Sequence, residues 1–200
     1  MKKLILTLFL VSSIFISNSV NAQFSVVAGL NLANVYDSDA DFDVDPTIRP
    51  GIRIGAAAST DLTDQIKLTS AAVYSVKGFV YEVFTTDNAG NPTGTIDAVQ
   101  SLNYLEVPVD LSFNVTDQFA LTAGLYTAFL LGQTHTVDGE NFSDWIDEDK
   151  IDTGLGIGAK IIIESISLNA GYQLGVTPLY ADQDLDIKTS NIVIGMSYSF

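Results

Sequence analysis

The sequence contains no cysteine, only nine lysines and arginines, one histidine and one tryptophan among its 200 residues. The absence of cysteine excludes a disulfide framework and a lipoprotein anchor. The few basic residues face 24 acidic ones, which argues against nucleic-acid binding because that function needs a basic surface. No apolar run reaches roughly 18 residues, so no transmembrane helix is predicted.

The N-terminus has the organisation of a secretory signal peptide. Lys2 and Lys3 precede an apolar run over residues 4–16, and the small residue Ala22 stands before Gln23. That order of basic, apolar and small residues is typical of a cleaved export signal. We therefore predict a signal peptide over residues 1–22 and one domain over residues 23–200.

The rest of the chain alternates apolar and polar residues with a period of two, which is typical of β-strands. The last segment shows the pattern on Ile192, Ile194, Met196, Tyr198 and Phe200, with small or polar residues between them. Eight such segments are predicted to be strands: Phe24–Val35, Arg49–Ser59, Ile66–Phe84, Val99–Asn114, Phe119–Gly132, Asp152–Ile163, Ile166–Pro178 and Lys188–Phe200.

The links between these strands alternate between short turns and long, mostly acidic loops, and both termini fall on the short-turn side. Barrels of the bacterial outer membrane have an even strand number and this same alternation of turns and loops. A soluble barrel shows the same period with its apolar face inward. Here, however, the polar positions of the strands carry a mixture of glycine, serine and charged residues, which fits a crowded barrel interior better than a face exposed to solvent. We predict an all-β, eight-stranded antiparallel up-and-down transmembrane β-barrel with a filled polar lumen, in the outer membrane of a Gram-negative bacterium.

Six charged residues share the inward parity of the predicted strands. They are Arg53, Lys67, Lys77, Glu106, Asp110 and Lys160. The interior of an eight-stranded barrel is just filled by side chains, and buried charges are normally paired. An internal ion-pair network that plugs the lumen is therefore predicted, with a narrow proton or ion path as the alternative.

The glycines at 154, 156 and 158 lie inside a strand, so we interpret them as packing positions rather than a nucleotide loop.

The first loop carries acidic residues at alternate positions: Asp37, Asp39, Asp41, Asp43 and Asp45. Such oxygen ligands suit Ca²⁺, but Phe42 and Ile48 occupy the positions where an EF-hand needs glycine and glutamate. A solvated acidic rim is the favoured interpretation. Contact with a surface polysaccharide or a basic protein partner is a further hypothesis, and apart from Ca²⁺ no metal or cofactor is predicted.

The third loop holds the remaining candidates for chemistry and contact. His135 is the only histidine, and a Ser/His/acid hydrolase acting on lipid at the rim is a disfavoured alternative because no nucleophile-elbow pattern accompanies it. Phe142 and Trp145 are candidates for partner contact or for a local loop core.

Tyr198 and the terminal Phe200 resemble the recognition signal of the outer-membrane barrel insertion machinery.

Several segments resemble the PorT-like outer-membrane β-barrel family common in Bacteroidetes. They are Ala28–Asn31, Tyr74–Gly78, Tyr104–Pro108, Gly124–Ala128, Asp152–Gly158 and Gly171–Gly175. The Ser-Val-Lys-Gly and Leu-Glu-Val-Pro pieces are the most specific of these. The resemblance covers nearly the whole mature chain and implies an eight-stranded barrel embedded in outer-membrane lipid.

We predict a non-enzymatic outer-membrane protein that is structural, adhesive or partner-binding through its acidic extracellular loops. The resemblance allows a second role, as an accessory barrel of a protein secretion system. A rim lipid hydrolase using His135 is the third and least favoured hypothesis.

Overall fold

The computed structural model describes residues 22–37, 46–87, 89, 91–142, 150–180 and 186–200. Their strands are β1 Gln23–Asp37, β2 Thr47–Asp61, β3 Ile66–Thr86, β4 Pro92–Thr116, β5 Phe119–Val137, β6 Glu140–Phe142, β7 Ile151–Ile163, β8 Ile166–Gly175 and β9 Ile187–Ser199. Within these ranges, no helix is long and apolar enough to cross a membrane. The predicted signal peptide lies outside the described residues, except for Ala22.

Eight long strands form a closed antiparallel ring. The sheet order is β4-β3-β2-β1-β9-β8-β7-β5, and a further pairing of β4 with β5 closes it. The first and last strands pair along most of their length, with Gly29 opposite Gly195. β6 is a three-residue addition that pairs with the end of β5. The predicted eight-stranded antiparallel barrel is confirmed, and its closure leaves no sheet edge within the ring.

The hairpin of β3 and β4 extends beyond the predicted strands. Much of the predicted loop over residues 85–98 belongs to this hairpin, because β4 begins at Pro92 rather than at Val99. The turn is held by the carboxylate of Asp87, which accepts hydrogen bonds from the backbone N–H groups of Ala89 and Asn91 at 2.8 and 2.9 Å. The threonine-rich, polar character of this stretch conceals the strand, because a strand beyond the lipid needs no apolar alternation.

A β-bulge in β5 reverses which residues face the interior. Asn103 on β4 is opposite Gly132, but the next residue, Tyr104, is opposite Leu130. Leu131 is the extra residue and points outward. Beyond the bulge, odd-numbered positions of β5 face inward, and His135 is buried there. Alternation alone predicts neither the bulge nor the resulting reversal.

Apolar side chains cover the outside of the ring, and polar side chains occupy its inside. Ile157 and Leu125 are 66% and 62% exposed, whereas the side chains of Lys77 and Glu106 are fully buried. A protein in water would have the reverse arrangement. The exposed aliphatic set includes Val26, Leu30, Ile52, Ile54, Leu105, Leu111, Leu121, Leu155, Ile161, Leu168, Ile192 and Ile194. This inside-out pattern fits an apolar face in contact with lipid.

Candidate functional site in the barrel interior

The barrel interior has three successive zones between its loop end, where the long links lie, and its turn end, where the short turns lie. We call the apolar group nearest the loop end the upper cluster; it consists of Val35, Phe79, Leu102, Tyr104, Tyr126, Ala128, Leu179, Tyr180 and Ile187. Leu179 and Tyr180 come from the link between β8 and β9. The N–H of Leu179 donates to the carbonyl of Ile187 at 2.7 Å, which ties this link to the start of β9.

Below the upper cluster, Arg53, Lys77, Glu106 and Asp152 form what we call the ionic layer. Lys77 Nζ lies 3.1 Å from Glu106 Oε2 and 3.1 Å from Asp152 Oδ2. Arg53 Nη2 lies 2.8 Å from Glu106 Oε1. Two cations therefore balance two carboxylates in a largely buried region, as buried charges require.

Neutral groups donate further hydrogen bonds to the two carboxylates. Gln173 Nε2 donates to Glu106 Oε1 at 2.9 Å. Asp152 accepts hydrogen bonds from the hydroxyls of Tyr126 at 3.3 Å and Thr189 at 3.1 Å. The ring of Tyr126 also lies against Lys77, whose Nζ is 4.1 Å from the ring centroid. Such a desolvated cation–π contact contributes about 2 kcal/mol.

Glycine at position 154 makes room for this tyrosine. A Cβ built there would lie 2.5 Å from Tyr126 Cε1 and 2.2 Å from the carbonyl oxygen of Leu174. At Gly156 the nearest atom would be 3.6 Å away, which is ordinary contact. The glycines of this strand therefore act in packing, and only the first is required by the close approach of Tyr126.

The structure brings together only part of the predicted set of charged residues. Arg53, Lys77 and Glu106 meet in the ionic layer, joined by Asp152, which the sequence analysis did not assign to the lumen network. Asp152 and Lys160 occupy even-numbered positions of the same strand, so the alternation could have identified Asp152 as inward-facing. Lys67 is a correction to the predicted network: it pairs with Asp61 at 3.5 Å, in a pair whose side chains are 27% and 64% exposed. It lies near the short turn that follows β2, where water competes with any ion pair.

The remaining two predicted charges line a cavity of about 220 Å³ beneath the ionic layer, which we call the lower cavity. Asp110 and Lys160 both contribute to its wall, and Gln23, Ser59 and Glu164 place its opening at the turn end. Among the described residues, neither Asp110 nor Lys160 takes part in an ion pair. Four buried polar atoms of the wall have no hydrogen-bond partner: Arg53 Nη1, Ser112 Oγ, Asn169 Oδ1 and Gln173 Oε1.

His135 lies inside β5, not in the loop where it was predicted. Its Nδ1 is 2.9 Å from Gln100 Oε1, and its ring lies 6.0 Å from that of Tyr81 and 6.4 Å from that of Phe142. None of these three residues is the serine that the Ser/His/acid hypothesis requires. The neighbouring outward positions, Thr134 and Thr136, are polar, so this part of β5 lies beyond the apolar belt. Burial lowers the pKa of His135, which favours its neutral form.

Several predicted loop residues lie outside the described part of the chain. These are Asp39, Asp41, Asp43, Asp45 and Trp145. Asp37 is the last residue of β1, and Phe142 ends β6 with 41% of its surface exposed. No group of three or more histidine or acidic side chains able to hold a metal occurs among the residues that the structure describes.

The C-terminal aromatic residues form a pair on the outside of the turn end. The rings of Tyr198 and Phe200 are 5.3 Å apart and nearly perpendicular, at 80°. The N–H of Phe200 donates to the carbonyl of Phe24 at 3.0 Å, which joins the last residue to the first strand. Phe200 is 76% exposed, as expected for an aromatic side chain at a lipid interface.

Solved structures with this fold include several outer-membrane proteins. Neisserial surface protein A is 14% identical, the match covers 90% of this chain and 99% of that one, and the TM-score is 0.55. Ail of Yersinia pestis is 14% identical over 90% of this chain and 100% of that one, with a TM-score of 0.46. OprG from Pseudomonas aeruginosa is 12% identical over 90% and 96%, with a TM-score of 0.44. At these identities the similarity concerns the fold alone.

No curated protein matches the sequence. Residues 13–181, most of the chain, match the family described as "Outer membrane protein beta-barrel domain". This match agrees with the closed ring of eight strands and with the apolar side chains on its outer face. The chain therefore belongs to the outer membrane protein β-barrel domain family and is a β-barrel protein of the outer membrane.

Proposed function

We propose that this protein is a non-enzymatic, non-conducting barrel that holds its extracellular loops at the cell surface for contact with a partner. The observation that supports the proposal is the burial of the ionic layer and the upper cluster inside the ring. An ion crossing the barrel would have to pass fully buried Lys77 and Glu106 and then Leu102, which is also fully buried. Leaving water without new ligands is costly for an ion, so such an interior opposes conduction.

The loop end offers groups suited to partner contact. Phe84, near the tip of the β3–β4 hairpin, is 76% exposed, and Phe142 on β6 is also exposed. Exposed aromatic side chains often anchor protein interfaces. The surrounding loops are strongly acidic, so a basic protein, or a polysaccharide bridged by divalent cations, is the partner class that this surface favours.

A cross-linking experiment on intact cells tests this proposal. Residues 143–149 are replaced by a Gly/Ser segment of equal length, and residues 62–65 of the β2–β3 turn, at the opposite end of the barrel, are replaced in the same way as the control. We expect the wild-type chain and the control to give the same cross-linked species and the first variant to lose it. Identical cross-links in all three chains, or steady channel currents from the wild-type chain in planar bilayers, would refute the proposal.

A second candidate function is that of an accessory barrel in a protein secretion system, which the PorT-like resemblance allows. It is favoured by the contact between the two most specific motifs of that resemblance. Tyr74–Gly78 supplies Lys77, and Tyr104–Pro108 supplies Glu106, whose side chains form an ion pair at 3.1 Å. Lys77 Nζ also lies 5.6 Å from the ring centroid of Tyr104. The motifs thus coincide with the internal ionic layer, which supports the assignment to that family.

Deletion of the gene tests this second function. A secretion accessory predicts that secreted proteins accumulate in the periplasm of the deletion strain and that the wild-type chain restores their export. An unchanged secreted fraction would exclude the secretion role. The surface-contact proposal would be untouched by that result, because it concerns the loop end alone.

A further inference from the structure

Several charged side chains line the lower cavity, among them Lys67, which pairs with Asp61. Lys160 on β7 and Asp110 on β4 also line the cavity, and neither has an ion-pair partner among the described residues. Arg53 uses Nη2 for Glu106, while its buried Nη1 has no hydrogen-bond partner. A cation, an anion and the second nitrogen of a guanidinium group are therefore directed at the same space.

The strand register shows why Lys160 and Asp110 do not pair directly. On β5, which lies between their strands, Lys160 is opposite Ala120 and Asp110 is opposite Gly124. Four residues along a strand span about 13 Å, and two strand spacings add about 10 Å across it. The two α-carbons are thus roughly 16 Å apart along the sheet. The two charged groups therefore form no ion pair, and both line the lower cavity.

A second wall of the cavity is defined by the row of paired residues that starts at Lys160. It runs through Asn169, Gly195 and Gly29 to Arg53. The amide of Asn169 lies over Gly195, where an added Cβ would be 3.3 Å from Asn169 Oδ1. Asn169 Oδ1 is itself buried without a hydrogen-bond partner. The cavity thus combines cationic donors, an anionic acceptor and a neutral amide acceptor.

We propose that the lower cavity binds a small zwitterion of the α-amino acid type. Its ammonium group is received by Asp110, and its carboxylate is received by Arg53 Nη1 and Lys160. The cavity volume of about 220 Å³ corresponds to about seven waters, which is room for an amino acid with a small side chain. The opening is at the turn end, which faces the periplasm in outer-membrane barrels. This site is independent of the proposed function at the loop end.

Three probes of similar size test whether both charges are needed. Residues 23–200 are refolded in uncharged maltoside micelles, and L-alanine, propionate and ethylamine are titrated in turn. Binding is read from the amide NMR shifts of the residues lining the cavity. We expect alanine to bind at least about fivefold more tightly than propionate or ethylamine, because only alanine satisfies both charged groups. Equal binding of propionate and alanine, or no saturable shift with alanine, would overturn the proposal; in the second case the cavity holds water only.

Variants locate the site. Lys160→Met and Asp110→Asn are each expected to weaken alanine binding by at least about fivefold. Lys188→Met, at the loop end and outside the cavity wall, is the matched control and should bind alanine as the wild-type chain does. Because one unbalanced charge can hinder refolding, the double variant Lys160→Met/Asp110→Asn is made in parallel. Alanine binding by a folded double variant at wild-type strength would contradict the assignment.

Discussion

Replacing Lys77 by methionine tests the ionic layer most directly. Lys77 is the only cation in contact with Asp152 among the described residues, whereas Glu106 would keep Arg53 at 2.8 Å. The variant therefore leaves one buried carboxylate without a cation, and methionine replaces most of the lysine volume. Breaking a buried pair by removing one partner costs about 3–5 kcal/mol. We expect Lys77→Met to lower the free energy of unfolding by that amount.

Lys67→Met is the matched control, because it makes the same substitution in an exposed pair. Lys67 Nζ lies 3.5 Å from Asp61 and 3.3 Å from Gln23, and exposed ion pairs contribute about 0–1 kcal/mol. Both variants are refolded in lipid vesicles and unfolded in urea, with the folded fraction read from heat-modifiable gel migration and far-UV circular dichroism.

A third variant separates charge imbalance from lost packing. Lys77→Met/Asp152→Asn removes the unbalanced carboxylate, so it should recover about 1–3 kcal/mol of the loss. If Lys77→Met is no less stable than Lys67→Met, or if the double variant recovers nothing, the charge argument for the ionic layer is refuted.

Three further predictions concern other parts of the barrel. Gly154→Ala should destabilise the barrel by about 1–3 kcal/mol because its Cβ meets Tyr126, while Gly156→Ala should change little; equal urea midpoints would contradict the packing argument. Burial lowers the pKa of His135, so the unfolded segment binds more protons and its stability should fall as pH drops below about 6.5. Proteolysis of the loop end should thus be faster at pH 5.0 than at pH 7.5, and His135→Gln should abolish that difference. The same substitution should leave lipid A unaltered, and a changed lipid A profile would support the hydrolase hypothesis. Deleting Phe200 should reduce the heat-modifiable barrel in the outer membrane, and normal abundance would exclude it as an assembly signal.

Two predictions from the sequence remain to be tested on the protein itself. N-terminal sequencing of the mature chain should begin at Gln23, the first residue of β1. Calorimetry with Ca²⁺ on the refolded protein should show whether the acidic loop over residues 37–45 binds the ion; a solvated rim predicts no saturable heat.

The strand number and the pairing direction were predictable because they depend on local pattern. Side chains of a strand point alternately to its two faces, so a run such as Ile192, Ile194 and Met196 identifies a strand and its apolar face from the sequence alone. Short turns between such runs force antiparallel neighbours. The ends of β3, β4 and β5 were not predictable, because strands beyond the lipid need no apolar face.

The sequence predicted that charged side chains lie inside the barrel, but not which of them form ion pairs. Parity identified Arg53, Lys77 and Glu106 as inward-facing, but register decided that these three meet and that Lys67 lies apart near the turn end. The bulge at Leu131, which turns His135 inward, follows from pairing across two strands and has no local signal.

The sequence alone therefore determined an exported chain with eight antiparallel strands, one apolar face and a set of inward charges. Tertiary structure decided that the apolar face points outward, that the upper cluster is buried inside the ring, and that Lys160 and Asp110 line a cavity without forming an ion pair. The physical reason is that alternation is a property of one strand, whereas closure, register and stagger are properties of the whole ring.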